Sequence, residues 1–162
     1  MNQTVTGTNG AADGGNFKIT GAVEIADGIL DINSGGGNIE ITGNITSAGV
    51  DEAIILDDGT TMGAGGTASE GTITLGGTVT TGDITLIGDS GVFITDDLTA
   101  NATGASGDID ITGPVTLKGD VIITADAHTG SSITFNTGAT IDSDSTARSL
   151  ELDTGAGAIV LN

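Results

Sequence analysis

Acidic side chains arranged in pairs are the residues of this chain best suited to chemistry: Asp57–Asp58, Asp96–Asp97, Asp108/Asp110 and Asp142/Asp144. Clustered carboxylates in bends, with backbone carbonyls nearby, are what calcium selects. Asp142 and Asp144, then Asp57 and Asp58, are the candidate calcium ligands, because both pairs fall in bends. The chain contains neither the EF-hand spacing nor the Gly-rich nonapeptide array that binds calcium. The competing reading is a solvated outer face on an acidic protein.

Asp108 and Asp110 alternate along one extended stretch and so share a face, about 6.5–7 Å apart. That separation suits two carboxylates flanking a glycosidic bond with room for water. A sugar ring would be gripped by aromatic platforms, however, and the sequence has no Trp or Tyr. A lyase would want a basic residue beside its metal, and only Arg148, near Asp142 and Asp144, meets that need. His128, the one histidine, sits in the bend "ADAHTG" and reads as a solvated loop residue. No enzyme activity is expected, and no cofactor apart from the candidate calcium.

Composition narrows the partners. Twenty-two acidic residues face Lys18, Lys118 and Arg148, for a net charge of −19. Such a surface repels phosphate backbones and anionic lipid, so nucleic acid and membrane insertion are not expected. No apolar run approaches the ~20 residues that span a bilayer. There is no cysteine for a disulfide framework. The opening "MNQTVTGTNGAADGG" lacks the basic and apolar regions of a signal peptide. Its sequon at Asn2, like those at Asn44 and Asn101, is not read as a modification site.

The elements that must hold these side chains are short strands. Apolar residues alternate with Thr, Asp and Glu, as in Ile73-Thr74-Leu75, Ile109-Asp110-Ile111, Ile133-Thr134-Phe135 and Leu150-Glu151-Leu152. Period-two alternation sends the aliphatics to one face and the polar residues to the other. One phrase recurs: an apolar pair, a Gly-rich bend and a second apolar pair. It is found at 30–41 ("LDINSGGGNIEI"), 84–94, 98–111, 121–135 and 150–161, with an enlarged bend at 54–75. A "TG" or "GG" step and a third apolar position often follow, at 42–46, 76–80, 112–117 and 137–141. A unit of three strands recurring after roughly 24–30 residues is the mark of a solenoid.

Strands this short, with three Phe as the sole aromatics, cannot fill a thick sandwich. They can coil, so that each pairs with its counterpart one turn later at ~4.8 Å. The expected fold is all-β: a right-handed, three-sided parallel β-helix of about five to six coils. It is expected to cover residues 16–162, after a flexible or capping segment at 1–15. The irregular stretch 57–71 is a loop insertion at one corner, either a neutral excursion or a place for partner recognition. Phe17 and Phe135 fall on inward positions and Phe93 outward. Thr46, Thr80, Thr116 and Thr140 are expected in one outer column, an array that could order water against ice. The simpler account is that Thr favours exposed strand faces.

The phrase also closes the chain, at "SLELDTGAGAIVLN". A rung at the end of a solenoid offers N–H and C=O groups above apolar side chains and invites another strand. The sequence therefore reads as an excerpt of a longer repeat protein or as a unit that stacks end to end. The surfaces concerned are Phe17 and Ile19 at one end, and Leu150, Leu152, Ile159 and Leu161 at the other.

Runs such as "GDIDITGPVTLKGDVIITADAHTGSSITF" and "SLELDTGAGAIVLN" resemble the β-strand repeats of large bacterial surface proteins, in particular the filamentous-haemagglutinin-like adhesins. The resemblance runs from about residue 16 onward. It implies a non-catalytic structural segment of an extracellular or cell-surface fibrous protein, such as an adhesin stalk, matrix or filament component. Its partners would be itself or flanking repeats, through axial strand stacking, and an extracellular polysaccharide or another surface. The alternatives are a self-assembling filament subunit and an ice- or carbohydrate-binding module.

Overall fold

The computed structural model of this chain describes residues 3–6, 15–49, 52–59, 61–62, 68–69, 71–102, 106–126, 128–136 and 138–162. Strands are numbered in chain order. The first sheet contains seven: β1 (Gln3–Thr6), β4 (Ile29–Asn33), β7 (Ala53–Asp57), β12 (Asp83–Ile87), β15 (Ile109–Thr112), β18 (Ser132–Phe135) and β21 (Ala158–Leu161). The second contains β2 (Phe17–Ile19), β5 (Ile39–Ile41), β10 (Ile73–Leu75), β13 (Val92–Ile94), β16 (Val115–Leu117) and β19 (Ile141–Ser143). The third contains β3 (Val23–Ile25), β6 (Ile45–Ser47), β11 (Val79–Thr81), β14 (Leu98–Ala100), β17 (Val121–Ala125) and β20 (Leu150–Asp153). Successive strands visit the three sheets in constant rotation, and all pairing within them is parallel. This is a three-sided parallel β-helix of about six coils.

Alternation in the sequence decides which way each strand faces. In β10, Ile73 and Leu75 are buried while Thr74 points outward. The same apolar-polar-apolar burial repeats in β5, β13 and β16. Register then stacks like on like: Ile39 on Ile73, Ile73 on Val92, and Val92 on Val115. A column of aliphatics fills the interior, with Phe135 inside and Phe17 packed against it. Each such side chain contributes roughly 1.5–3 kcal/mol on burial. Phe93 faces outward, half-buried, with Lys118 Nζ 5.0 Å from its ring centroid.

The bends share a local device. Asn33 Oδ1 accepts the N–H of Gly35, Asp57 Oδ1 that of Gly59, and Asp153 Oδ1 that of Gly155, at 2.8–2.9 Å. Each of these glycines has φ between 57° and 67°, a left-handed turn that only a residue without Cβ takes at no steric cost. The residue between them, Ser34, Asp58 or Thr154, is buried at the corner.

That shared device explains why the repeated phrase misleads about position. The copies at 30–41, 54–75 and 84–94 turn from the first sheet to the second. Those at 98–111, 121–135 and 150–161 turn from the third sheet to the first. The stretch at 87–98, which looks shortened in sequence, contains β13 and completes an ordinary coil.

At the amino end, Gln3–Thr6 pairs with Leu30–Asn33 and adds a strand to the first sheet ahead of residue 16; residues 1–2 and 7–14 lie outside the described residues. Within the insertion, β8 (Thr61–Met62) and β9 (Ala68–Ser69) form an antiparallel hairpin. The rest of that stretch, at 60, 63–67 and 70, lies outside the described residues.

Candidate functional site

The acidic and amide side chains at the strand entrances, with Asp58 just past the end of β7, do the same thing repeatedly. A side-chain oxygen in one coil accepts a backbone N–H from the coil above it. Asn16 takes Asn38, Asn38 takes Thr72, and Asn44 takes Thr78. Asp58 takes Asp89, Asp83 takes Asp108, and Asp97 takes Ile122. Asp108 takes Ser132 and Asp120 takes Ser149, the whole set spanning 2.7–3.3 Å. These N–H groups lie in the turns between sheets or, for Ile122 and Ser132, in the first two residues of the strand that follows, so a side chain completes what the strand ladder leaves open. Single-sequence reasoning missed this role; its signal, at every one of these positions but Asn44 and Asp58, is an Asx residue immediately before an apolar-x-apolar triplet.

The four candidate calcium ligands are each engaged in hydrogen bonds within the chain. Asp57 Oδ2 accepts from Asn33 Nδ2 at 3.0 Å, while Asp58 is wholly buried. Asp142 Oδ1 accepts the N–H of Ser143 at 2.7 Å. Asp144 faces Arg148 with both oxygens, at 3.1 and 3.3 Å. That hydrogen bond holds the Asp144 carboxyl below the usual carboxylate range and raises the guanidinium in turn. Among the described residues, no three carboxylate or imidazole groups converge on a point where a metal ion would sit.

Asp108 and Asp110 also separate in role. Asp108 Oδ1 receives both the N–H and the hydroxyl of Ser132, at 2.7 and 2.9 Å. Asp110 lies on the outer face of β15 between Thr85 and Thr134. Burial pushes its carboxyl upward and Asp108 adds to the rise; a hydrogen bond from Thr134 opposes it and Asp83 adds a smaller rise. Arg148 is committed to Asp144, and His128 Nδ1 lies 3.1 Å from Asp126 in an exposed bend.

The expected column of threonines divides between two faces. Thr46 and Thr80 are neighbours on the third sheet, whereas Thr116 lies on the second, between Phe93 and Asp142. Thr140 precedes β19 on that same second sheet. The reason is the change of corner described above: the third apolar position of a phrase changes sheet between the two halves. The continuous column is Thr46, Thr80, Thr99 and Thr124, flanked by Glu24 and Asp153.

The outermost strands are β1, β2 and β3 at one end and β19, β20 and β21 at the other. Phe17 and Ile19 lie on β2, Leu150 and Leu152 on β20, and all four are half-buried against the core. Ile159 and Leu161 lie on β21 and are 46% and 66% exposed. Ile141 on β19 and Val23 on β3 belong to the same two surfaces and were not legible beforehand, since strand order was needed to find them. Beside β3, a hollow of about 350 Å³ opens between Val23, Ile25, Ile29 and Leu30. Comparison with known proteins gives no matching family model, curated protein or solved structure.

Proposed function

We propose that this chain is a structural, non-catalytic rod segment of an extracellular or cell-surface fibrous protein, such as an adhesin stalk, matrix or filament component of a bacterium. The observation that carries the reading is axial continuity. Three parallel sheets run the length of the molecule, and the corner carboxylates and amides that look like chemistry reinforce contact between coils. In such a solenoid, stiffness comes from nearest-neighbour coil contacts, and each outermost strand offers pairing to a further coil. A charge of −19 keeps neighbouring rods apart and is screened in salt water outside a cell. An extracellular polysaccharide or another surface is the partner class for the lateral faces.

Antibodies raised against residues 71–162 would test this on intact cells of the source organism. The reading expects label on unpermeabilised cells, in fibrous or stalk-like patterns. Label that appears only after permeabilisation would overturn it.

A further inference from the structure

One register position at the entrance to the first sheet breaks its own pattern. From β4 to β21 the column reads Gly28, Glu52, Gly82, Gly107, Ser131 and Gly157. Glu52 is the one large side chain in it. Alternation gives it the facing of Ile54 and Leu56, toward the interior, and the residue is only 9% exposed. Gly82, its neighbour in the next coil, offers an N–H alone, and that goes to the Glu52 carbonyl at 2.6 Å. Further along the column the Ser131 hydroxyl accepts the Gly107 N–H at 3.3 Å. The Glu52 carboxylate has no such arrangement: its Oε2 is buried without a hydrogen-bond partner. The group lies against Gly49, where a methyl would meet Oε1 at 2.5 Å and Oε2 at 2.8 Å. The Gly49 carbonyl in turn accepts the Ser47 hydroxyl at 2.8 Å.

The chain supplies no counter-charge for this group. Of its three basic side chains, Lys18 is paired with Glu40, Arg148 with Asp144, and Lys118 lies over Phe93. An uncompensated carboxylate at this depth is strongly destabilising, and a buried polar atom without a partner points to an ion from solution. We propose that Glu52 is the anionic ligand of a calcium ion seated in the corner between β6 and β7. The Gly49 carbonyl and the Ser47 hydroxyl are the neighbouring oxygens, and water completes the shell. Calcium accepts carboxylate, carbonyl, hydroxyl and water oxygens in irregular geometry, whereas magnesium demands a near-ideal octahedron and gives up its waters reluctantly. Gly28 and Gly82, on either side of Glu52, have no side chain to fill the space. The site stands independently of the rod reading.

Thermal unfolding followed by circular dichroism tests the site on the full chain, freed of metal by chelation and held at constant ionic strength. Wild type, Glu52→Gln, Gly49→Ala and Asp144→Asn are each melted with calcium chloride, with magnesium chloride and with neither. Wild type is expected to gain about 5–10 °C at a calcium concentration about one hundred times its Kd, and less with magnesium. Glu52→Gln should lose the gain. Gly49→Ala, which pushes the carboxylate aside and keeps its charge, should lose most of it, and Asp144→Asn should keep it. Spectra at low temperature show that the coils of each variant are formed, and Gly49→Ala decides the matter should Glu52→Gln not fold. No calcium-dependent gain in wild type overturns the site. So does an equal gain in all four chains, or from both metals, since either would be screening of the acidic surface.

Discussion

At the scale of single residues, the acidic side chains make hydrogen bonds between coils that their spacing in the sequence does not show. Read as a string, Asp108/Asp110 or Asp57/Asp58 look like ligands or a catalytic pair, because spacing along a strand is visible and hydrogen bonding between coils is not. In the structure Asp108 is an acceptor for Ser132 of the next coil. Asn38 performs the same task for Thr72, so the role needs an oxygen and not a charge. Asp108→Ala should therefore destabilise the chain by about 1–3 kcal/mol, leaving a part-buried N–H without its acceptor. Asp108→Asn should stay within about 1 kcal/mol of wild type in urea unfolding. Equal losses for both would show that the charge itself matters, as a cation site requires. Asp110 behaves differently. Its folded-state carboxyl is raised by burial and by Asp108, so the folded chain holds that proton more tightly than the unfolded chain. The group's contribution is favourable below the ordinary carboxylate range and is lost as pH rises through the raised value. Asp110→Asn should stabilise the chain at neutral pH and remove that part of the pH dependence. Asp120, lowered chiefly by the Ser149 N–H, has the opposite sign: its stabilisation is present above the ordinary range and is lost as pH falls through the lowered value.

At the scale of elements, the strands were legible because alternation is a property of neighbours in sequence. Ile73-Thr74-Leu75 announces its facing without any knowledge of the rest of the chain. Which sheet a strand joins was not legible in the same way. The Asx–x–Gly corner appears after β4 and β7 and again after β20, so "LDINSGGGNIEI" and "LELDTGAGAIVL" look equivalent while turning different corners. That is why Thr116 was placed beside Thr80 when its true neighbours are Phe93 and Asp142. The hairpin β8–β9 forms a sheet of its own between β7 and β10. Replacing residues 60–70 with a short Gly link should shift the melting temperature by no more than about 3 °C, since shortening a loop changes closure entropy slowly. Loss of cooperative melting would show that the insertion is part of the core.

At the scale of the whole molecule, stability rests on contacts between neighbouring coils. A coil pairs above and below, so protection should be greatest in the middle and decline toward β1–β3 and β19–β21. The apolar pattern alone places Phe17, Ile19, Leu150, Leu152, Ile159 and Leu161 on the outermost strands; Val23 and Ile141 are found there only once register sets the columns. Hydrogen–deuterium exchange tests this account most directly. Amides of β10–β16 should exchange slowest and those of β1–β3 and β19–β21 fastest, with a graded fall between them. Equal protection from end to end, or central coils that exchange as fast as the outermost ones, would contradict it.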